Sequence, residues 1–506
     1  MRTPQSPGLV LLVSLLLAGC PGGVLRTIEV RKVPSSSSPP EIQRVLDLGN
    51  IDLQQGGALD VSRSDGGAVI GELLLVQGSH FGKQPRVTIG GRATEVLAHV
   101  SGGGVVVRVP WGIDPGQVEI EVAHPQGRGV LIYPVRRLGL VLTDEGLIPF
   151  EVKADGGAAL APGRVALAGG QKLALSQDGS VVYVGGTKHG KVTLWVVDLT
   201  ASPPRILSEK SFPGTRLVDL ETAAQSAMGV LVSDTHIVYF DARTMLNPAF
   251  YTPHRLPDAV AQKQVLAAAI GGQGQRVALL LADLNQVALF DASKPSVLPS
   301  PMLADVLPDA RLQVVSDLRF SADGHSVWVV SGDTTRSIAG GYQPAKLTLL
   351  RLAQGTLAVH RTWDVTDKVS VPMLALARGE PIPPGTAIRD EPSSSSVYLP
   401  GYPSDVLKPG GLKDGLQGQL LRSSLSRQSA EVLARGPWLL TSVDVVGKTE
   451  VLLALGCRVE GGTSTRVLLH GAAWRGAAPT TLDLGPVAPQ VVKAIPLWIG
   501  TVRAQP

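Results

Sequence analysis

The sequence predicts an all-β protein in two parts, a small strand sandwich followed by a larger array of four-stranded sheets. Three observations predict it. Glycine (58) and proline (38) fall between short Val/Leu/Thr runs along all 506 residues, the punctuation of many strands joined by turns. A strand unit of constant layout recurs after residue 136. No segment keeps an apolar 3.6-residue period between caps, which argues against a helical domain. Hydrophobic residues at 44% against 17% charged mark a chain with ample core material.

At the N-terminus Arg2 precedes the apolar run Leu9–Leu17, too short for a membrane span, which needs about 20 apolar residues. The run ends in Leu17-Ala18-Gly19-Cys20, which resembles the lipobox of bacterial lipoproteins. The resemblance implies a signal peptide over residues 1–19 and a diacylglyceryl thioether on Cys20. Pro21-Gly22-Gly23 follows, with no aspartate after the cysteine. By similarity to diderm lipoproteins this implies a lipid-anchored protein of the outer membrane, periplasmic or surface-exposed. Each buried acyl CH₂ contributes about 0.8 kcal/mol to such anchoring. Val33-Pro-Ser-Ser-Ser-Ser-Pro-Pro40 cannot bury a core, so residues 20–65 are expected to be tether and lead-in.

Residues 66–135 alternate between strand-like runs (Glu72–Gln77, Arg86–Ile89, Val105–Val109, Val118–Val122) and glycine turns. Gly78, Phe81, Gly82, Val87, Ile89, Gly90, Gly91, Val107, Val109 and Pro110 fit one spaced pattern. It resembles the IPT/TIG family, whose members are small immunoglobulin-like sandwiches. The resemblance covers about one seventh of the chain and implies that Phe81 plugs the space between the sheets. Gly78 and Gly82 are expected at tight turns. His80 and Trp111, at turns, are the candidates for surface contact.

Residues 136–506 carry the repeat. Lys172–Ser208 and Leu318–Val359 share strand, Asp-Gly turn, strand, hairpin, strand, turn and strand, the layout of a propeller blade. Apolar strands ending in Asp198, Asp241 and Asp291 are 43 and 50 residues apart, near a blade period. These blades resemble the YVTN-type (WD40-like) propellers of exported proteins, without the Trp-Asp dipeptide at strand ends. Six units are counted, and Leu138–Ile148 with Val491–Trp498 would complete a seventh by pairing the chain ends. The alternative is two or three sandwiches in series.

Chemical motifs are few. Gly185-Gly-Thr-Lys-His-Gly-Lys191 begins like a phosphate-binding loop, but Val192 replaces the Ser or Thr, and strands flank it, so a hairpin turn is expected. Asp178-Gly179 and Asp323-Gly324 lack the alternating oxygen ligands of a calcium loop. No catalytic residue, cofactor or metal ligand is assigned. A charge balance of 46 Lys+Arg to 42 Asp+Glu, with no basic stripe, excludes a nucleic-acid partner. Cys457, in the run Val451–Cys457, is expected to be buried. The irregular Gly379–Gly418 is a candidate functional loop or a tolerated insertion. The expectation is a non-enzymatic binding or scaffold lipoprotein for a protein or glycan partner in the envelope. The alternative is a propeller hydrolase or oxidoreductase with a dispersed site in the central channel. Three or more converging Asp, Glu or His side chains there would favour the enzyme.

Overall fold

The computed structural model describes residues 38–49, 64–223 and 225–305 apart from a few loop positions, and mainly the strands from 315 to 505. The signal run, Cys20, the serine tether and most of Gly379–Gly418 lie outside the described residues. Nearly every described element is a strand, and no described helix is long and apolar enough to cross a membrane. The chain divides into two compact units, with the boundary at Arg137/Leu138.

The first unit is a two-sheet sandwich. One sheet orders Glu41–Gly49, Leu73–Ser79, Gly104–Arg108 and Val96–Val100; the other orders Ala68–Val69, Gly127–Arg136, Gly116–His124, Arg86–Ile89 and Arg92–Thr94. Val76, Val105, Val107, Ile89, Ile120 and Val122 interdigitate between them, because period-two strands present every second side chain to one core. Residues 41–49, expected as lead-in, are instead a sandwich strand. Val45 and Leu48 of that strand are buried, and its register runs from Glu41 opposite Ser79 to Gly49 opposite Leu73.

Phe81 is buried in the core. Gly82 holds φ +71°, as a turn requires. Gly78 is needed for a different reason: it lies in a strand, where a Cβ would sit 1.9 Å from the Glu41 carbonyl oxygen. Trp111, expected as a surface contact, packs partly buried against the same core, whereas His80 is exposed at φ 62°.

Beneath the sandwich core lies an acid. Glu72 is 2% exposed and accepts hydrogen bonds from the N–H groups of Val69 (2.8 Å) and Gly49 (3.1 Å). Burial raises its pKa well above the usual carboxylate value; Asp47 and Asp65 push the same way, and the two N–H donors oppose them. The folded state therefore holds a proton that the unfolded state releases near pH 4.5. Stability is fully present below that pH and declines as pH rises toward the folded-state pKa. Glu72→Gln should flatten this slope. The check is denaturant midpoints at pH 4 and pH 8, read by hydrogen exchange in the Leu73–Ser79 peptide; equal slopes in both proteins would refute it.

Among the described residues the second unit contains seven sheets, numbered here as blades 1 to 7. Blade 2 runs outward through Gly170–Leu175, Val181–Lys188, Lys191–Asp198 and Arg205–Phe212. Blade 3 begins at Leu217–Thr222, blade 4 at Val265–Ile270, blade 5 at Val315–Phe320, blade 6 at Ser396–Gly401 and blade 7 at Trp438–Val446. Asp198, Asp241 and Asp291 all end third strands, of blades 2, 3 and 4, and Asp241 and Asp291 accept the N–H two residues on, at 2.9 Å. Their periodicity therefore comes from strand-end turns.

Blade 1 joins the chain ends. Leu138–Thr143 pairs antiparallel with Thr501–Ala504, which forms the inner strand; the expected closing segment 491–498 lies outside the described residues. Gln505 fastens the junction. Its N–H donates to the Leu138 carbonyl (2.9 Å), its Oε1 accepts from the Leu138 N–H (2.8 Å), and its Nε2 donates to the Gly179 carbonyl (2.6 Å).

Candidate functional site

The inner strands of five blades share one irregularity, a register shift near the start: Gly170/Lys172, Leu217/Asp219, Val265/Ala267, Val315/Asp317 and Leu440/Ser442. A bulge at a common place puts Lys172, Asp219, Ala267, Asp317 and Ser442 at equivalent positions in blades 2, 3, 4, 5 and 7. Two residues on, the period-two strand repeats the position with Ala174, Glu221, Ala269, Arg319 and Asp444. The residues between (Leu173, Leu220, Ala268, Leu318, Val443) are buried between blades.

The charged members of these two rows pair from blade to blade. Arg319 Nη1 of blade 5 pairs with Glu221 Oε1 of blade 3. Blade 4 lies between them in the order of sheets and contributes only the small Ala267 and Ala269 at the matching positions, both packed in the core shared with Leu318 of blade 5. Arg319 and Glu221 are mostly shielded, at 15% and 18% exposure. Burial, with the neighbouring Arg503 guanidinium, lowers Arg319 to about 10 against the opposing pull of Asp219 and Asp444, so it remains a cation at neutral pH. Lys172 of blade 2 reaches Asp219 of blade 3 at 3.3 Å.

The carboxylates divide into two kinds. Asp219 accepts the N–H groups of Leu220 (3.0 Å) and of Ala268 on blade 4 (3.1 Å), tying three blades together. Asp444 accepts the Ala504 N–H (2.9 Å), and Ser442 the Val502 N–H (3.2 Å), holding the closing strand to blade 7. Glu221 is engaged by a side chain instead. It is a carboxylate oriented by a guanidinium, beside further positive charge, which suits a general base with fixed cations for a developing oxyanion. Among the described residues no group of three or more His, Cys, Asp or Glu is placed to hold a metal ion.

The segments singled out by motif fall elsewhere. Lys188 and Lys191 face each other across a two-residue turn with His189 at φ 50° and Gly190 at φ 72°, a hairpin of the primed type, so the phosphate-loop pattern is a turn. Asp178 caps its own turn, accepting from Ser176 Oγ (2.8 Å) and the Ser180 N–H (2.9 Å); Asp323-Gly324 lies outside the described residues. Cys457 is a free, buried thiol on blade 7 whose pKa burial pushes up to about 12. It should react with a thiol reagent at pH 8 only as fast as the blade opens; prompt labelling of the native chain would contradict its burial.

Sequence reasoning missed Lys172, Asp219, Glu221, Arg319, Asp444 and Arg503. A signal existed: Leu217-Val-Asp-Leu-Glu221 and Val315-Ser-Asp-Leu-Arg319 echo each other 98 residues apart, about two blade periods.

Seven antiparallel sheets among the described residues, the first pairing Leu138–Thr143 with Thr501–Ala504, define a β-propeller. No family profile matches the chain, and no curated protein matches it. Solved structures do. Two proteins described provisionally as 6-phosphogluconolactonases, from Bacteroides fragilis and Bacteroides uniformis, are 12% and 14% identical with TM-scores of 0.46 and 0.48. Each match covers 73% of this chain, and 98% and 99% of theirs. The periplasmic gluconolactonase of Pseudomonas aeruginosa is 12% identical with a TM-score of 0.43, over 73% of this chain and 99% of that one. At such identities the likeness is one of fold. The expectation of a non-enzymatic binding or scaffold protein is corrected by these findings, since the similar structures include proteins named as lactonases.

Proposed function

We propose that this protein is an exported β-propeller hydrolase whose reaction takes place in the central channel. The observation that carries the reading is the Arg319–Glu221 pair, made between non-adjacent blades and mostly shielded from solvent. Glu221 takes the proton of the attacking water, and Arg319 keeps the carboxylate aimed. Arg319 and Lys172 supply the fixed positive charge that favours the tetrahedral oxyanion. A small ester or lactone suits this chemistry, and the lactonase names among the similar structures set the substrates to try first.

The test is hydrolysis of a panel of sugar lactones and aryl esters by the full chain and by Glu221→Gln. The expected loss is about 10²- to 10⁴-fold, the range for removing a general base. Equal turnover by the variant, or none by the wild type on any member of the panel, overturns the reading. The same proposal places the protein at the envelope through a lipid on Cys20, with a sandwich of the IPT/TIG kind ahead of the propeller. Cys20→Ala should release it from membranes into the soluble fraction, and retention after a salt wash would count against the anchor.

A further inference from the structure

Three large apolar side chains of the sandwich stand exposed among the described residues: Leu97 at 38%, Val130 at 43% and Ile132 at 53%. Two of them sit together. Val130 and Ile132 take alternate positions on Gly127–Arg136, whose other face buries Tyr133 and Val135 in the core. Across from them on Gly116–His124 stand Glu121 and Glu119, so the apolar strip is one strand wide. Arg128 continues it, 70% exposed and 3.3 Å from Glu121.

The chain beside this strip narrows what covers it. Gly127–Arg136 is nearly an edge: beyond it only Ala68–Val69 pairs, and only with Val135 and Arg136. An added strand from a second copy is obstructed at both ends of the remainder. Pro39 and Pro40 lie against Gly127 and Gly129, where a Cβ would meet Pro39 Cβ at 2.8 Å and the Pro40 carbonyl oxygen at 2.7 Å. At the other end Pro134 has no N–H to offer. The outward face stays open, and the chain packed against this strand is the one that leads back to Cys20. Cys20 precedes Pro39 by 19 residues, at most about 65 Å of extended chain. A lipid on Cys20 holds the strip at high local concentration beside the bilayer, where two side chains sustain a contact they would lose in free solution. Arginine suits the rim, with its stem on apolar surface and its head among lipid phosphates. We infer that the outward face of Gly127–Arg136 docks on the lipid surface, with Val130 and Ile132 entering between the headgroups. This rests on the Cys20 anchor proposed above and adds an orientation to it.

The experiment places a nitroxide at Ile132→Cys in the full chain, purified from membranes and reconstituted in vesicles of phosphatidylethanolamine with a quarter phosphatidylglycerol. Cys457 is buried and Cys20 carries the lipid in this reading, so the introduced thiol is the one labelled. Its ratio of oxygen to nickel-chelate collisions should exceed severalfold that of a label at Arg92→Cys, on the far edge of the same sheet. Adding Val130→Asp should bring the ratio down to the Arg92→Cys level while the melting temperature holds, because that side chain is exposed. Equal ratios at the two labelled sites overturn the inference. So does dipolar broadening between labels at position 132, which would put a second copy on the face. Retention on vesicles after a salt wash, with the label in water, sinks this inference alone. Release by the wash sinks the Cys20 anchor and this inference with it.

Discussion

Deleting Thr501–Pro506 is expected to abolish cooperative unfolding of the second unit. The six residues include Val502, buried at 0% exposure, Gln505 at 0% and Ala504 at 7%. Their loss strands the Leu138 N–H and carbonyl, the Gly179 carbonyl and Ser442, and takes the Ala504 N–H from Asp444. Each buried group left without a partner costs about 1–3 kcal/mol. The sum is comparable with the roughly 5–15 kcal/mol net stability of an ordinary domain. The bare edge of Leu138–Thr143 would also invite intermolecular pairing. Calorimetry of the truncated chain against Thr501→Ala is the measurement. A single sharp transition in the truncated chain, near the wild-type temperature, would show that the end strand closes nothing.

Asp219→Ala should cost about 3–5 kcal/mol, the range for breaking a buried ion pair from one side. The carboxylate is 2% exposed and serves the Lys172 ammonium, the Leu220 N–H and the Ala268 N–H at once. Removing it takes the carboxylate from the Lys172 ammonium of blade 2 and the acceptor from the buried Ala268 N–H of blade 4. Glu221→Gln, two residues along the same strand, should cost far less stability, since its partner Arg319 keeps some contact with solvent and the amide oxygen still accepts. The two substitutions thus separate a brace from a chemical group: one lowers the denaturation midpoint, the other lowers turnover. Parallel urea melts and lactone assays on the same preparations decide it, and a small stability loss in Asp219→Ala would refute the brace.

Much of the architecture was legible without coordinates. The Asp-Gly turns, the strands ending in Asp198, Asp241 and Asp291, and the alternation Val118-Glu-Ile-Glu-Val122 are local signals, fixed by turn chemistry and period-two burial. The hairpin at His189-Gly190 was equally readable, because a turn needing positive φ at both residues leaves its mark in the residues themselves. The strand at 41–49 was not. Its pairing with Leu73–Ser79 spans about thirty residues, and a serine-proline stretch just before it disguises its onset.

The sequence by itself determined that this chain folds as strands in blade-sized repeats, because period and turn chemistry are local properties of neighbouring residues. It could not show that Glu221 and Arg319 belong together. They stand on strands of two different blades, and each looks like an ordinary polar residue in its own run. Only the packing of blade against blade brings Arg319 to Glu221 from strands 98 residues apart, where low exposure makes their pairing matter.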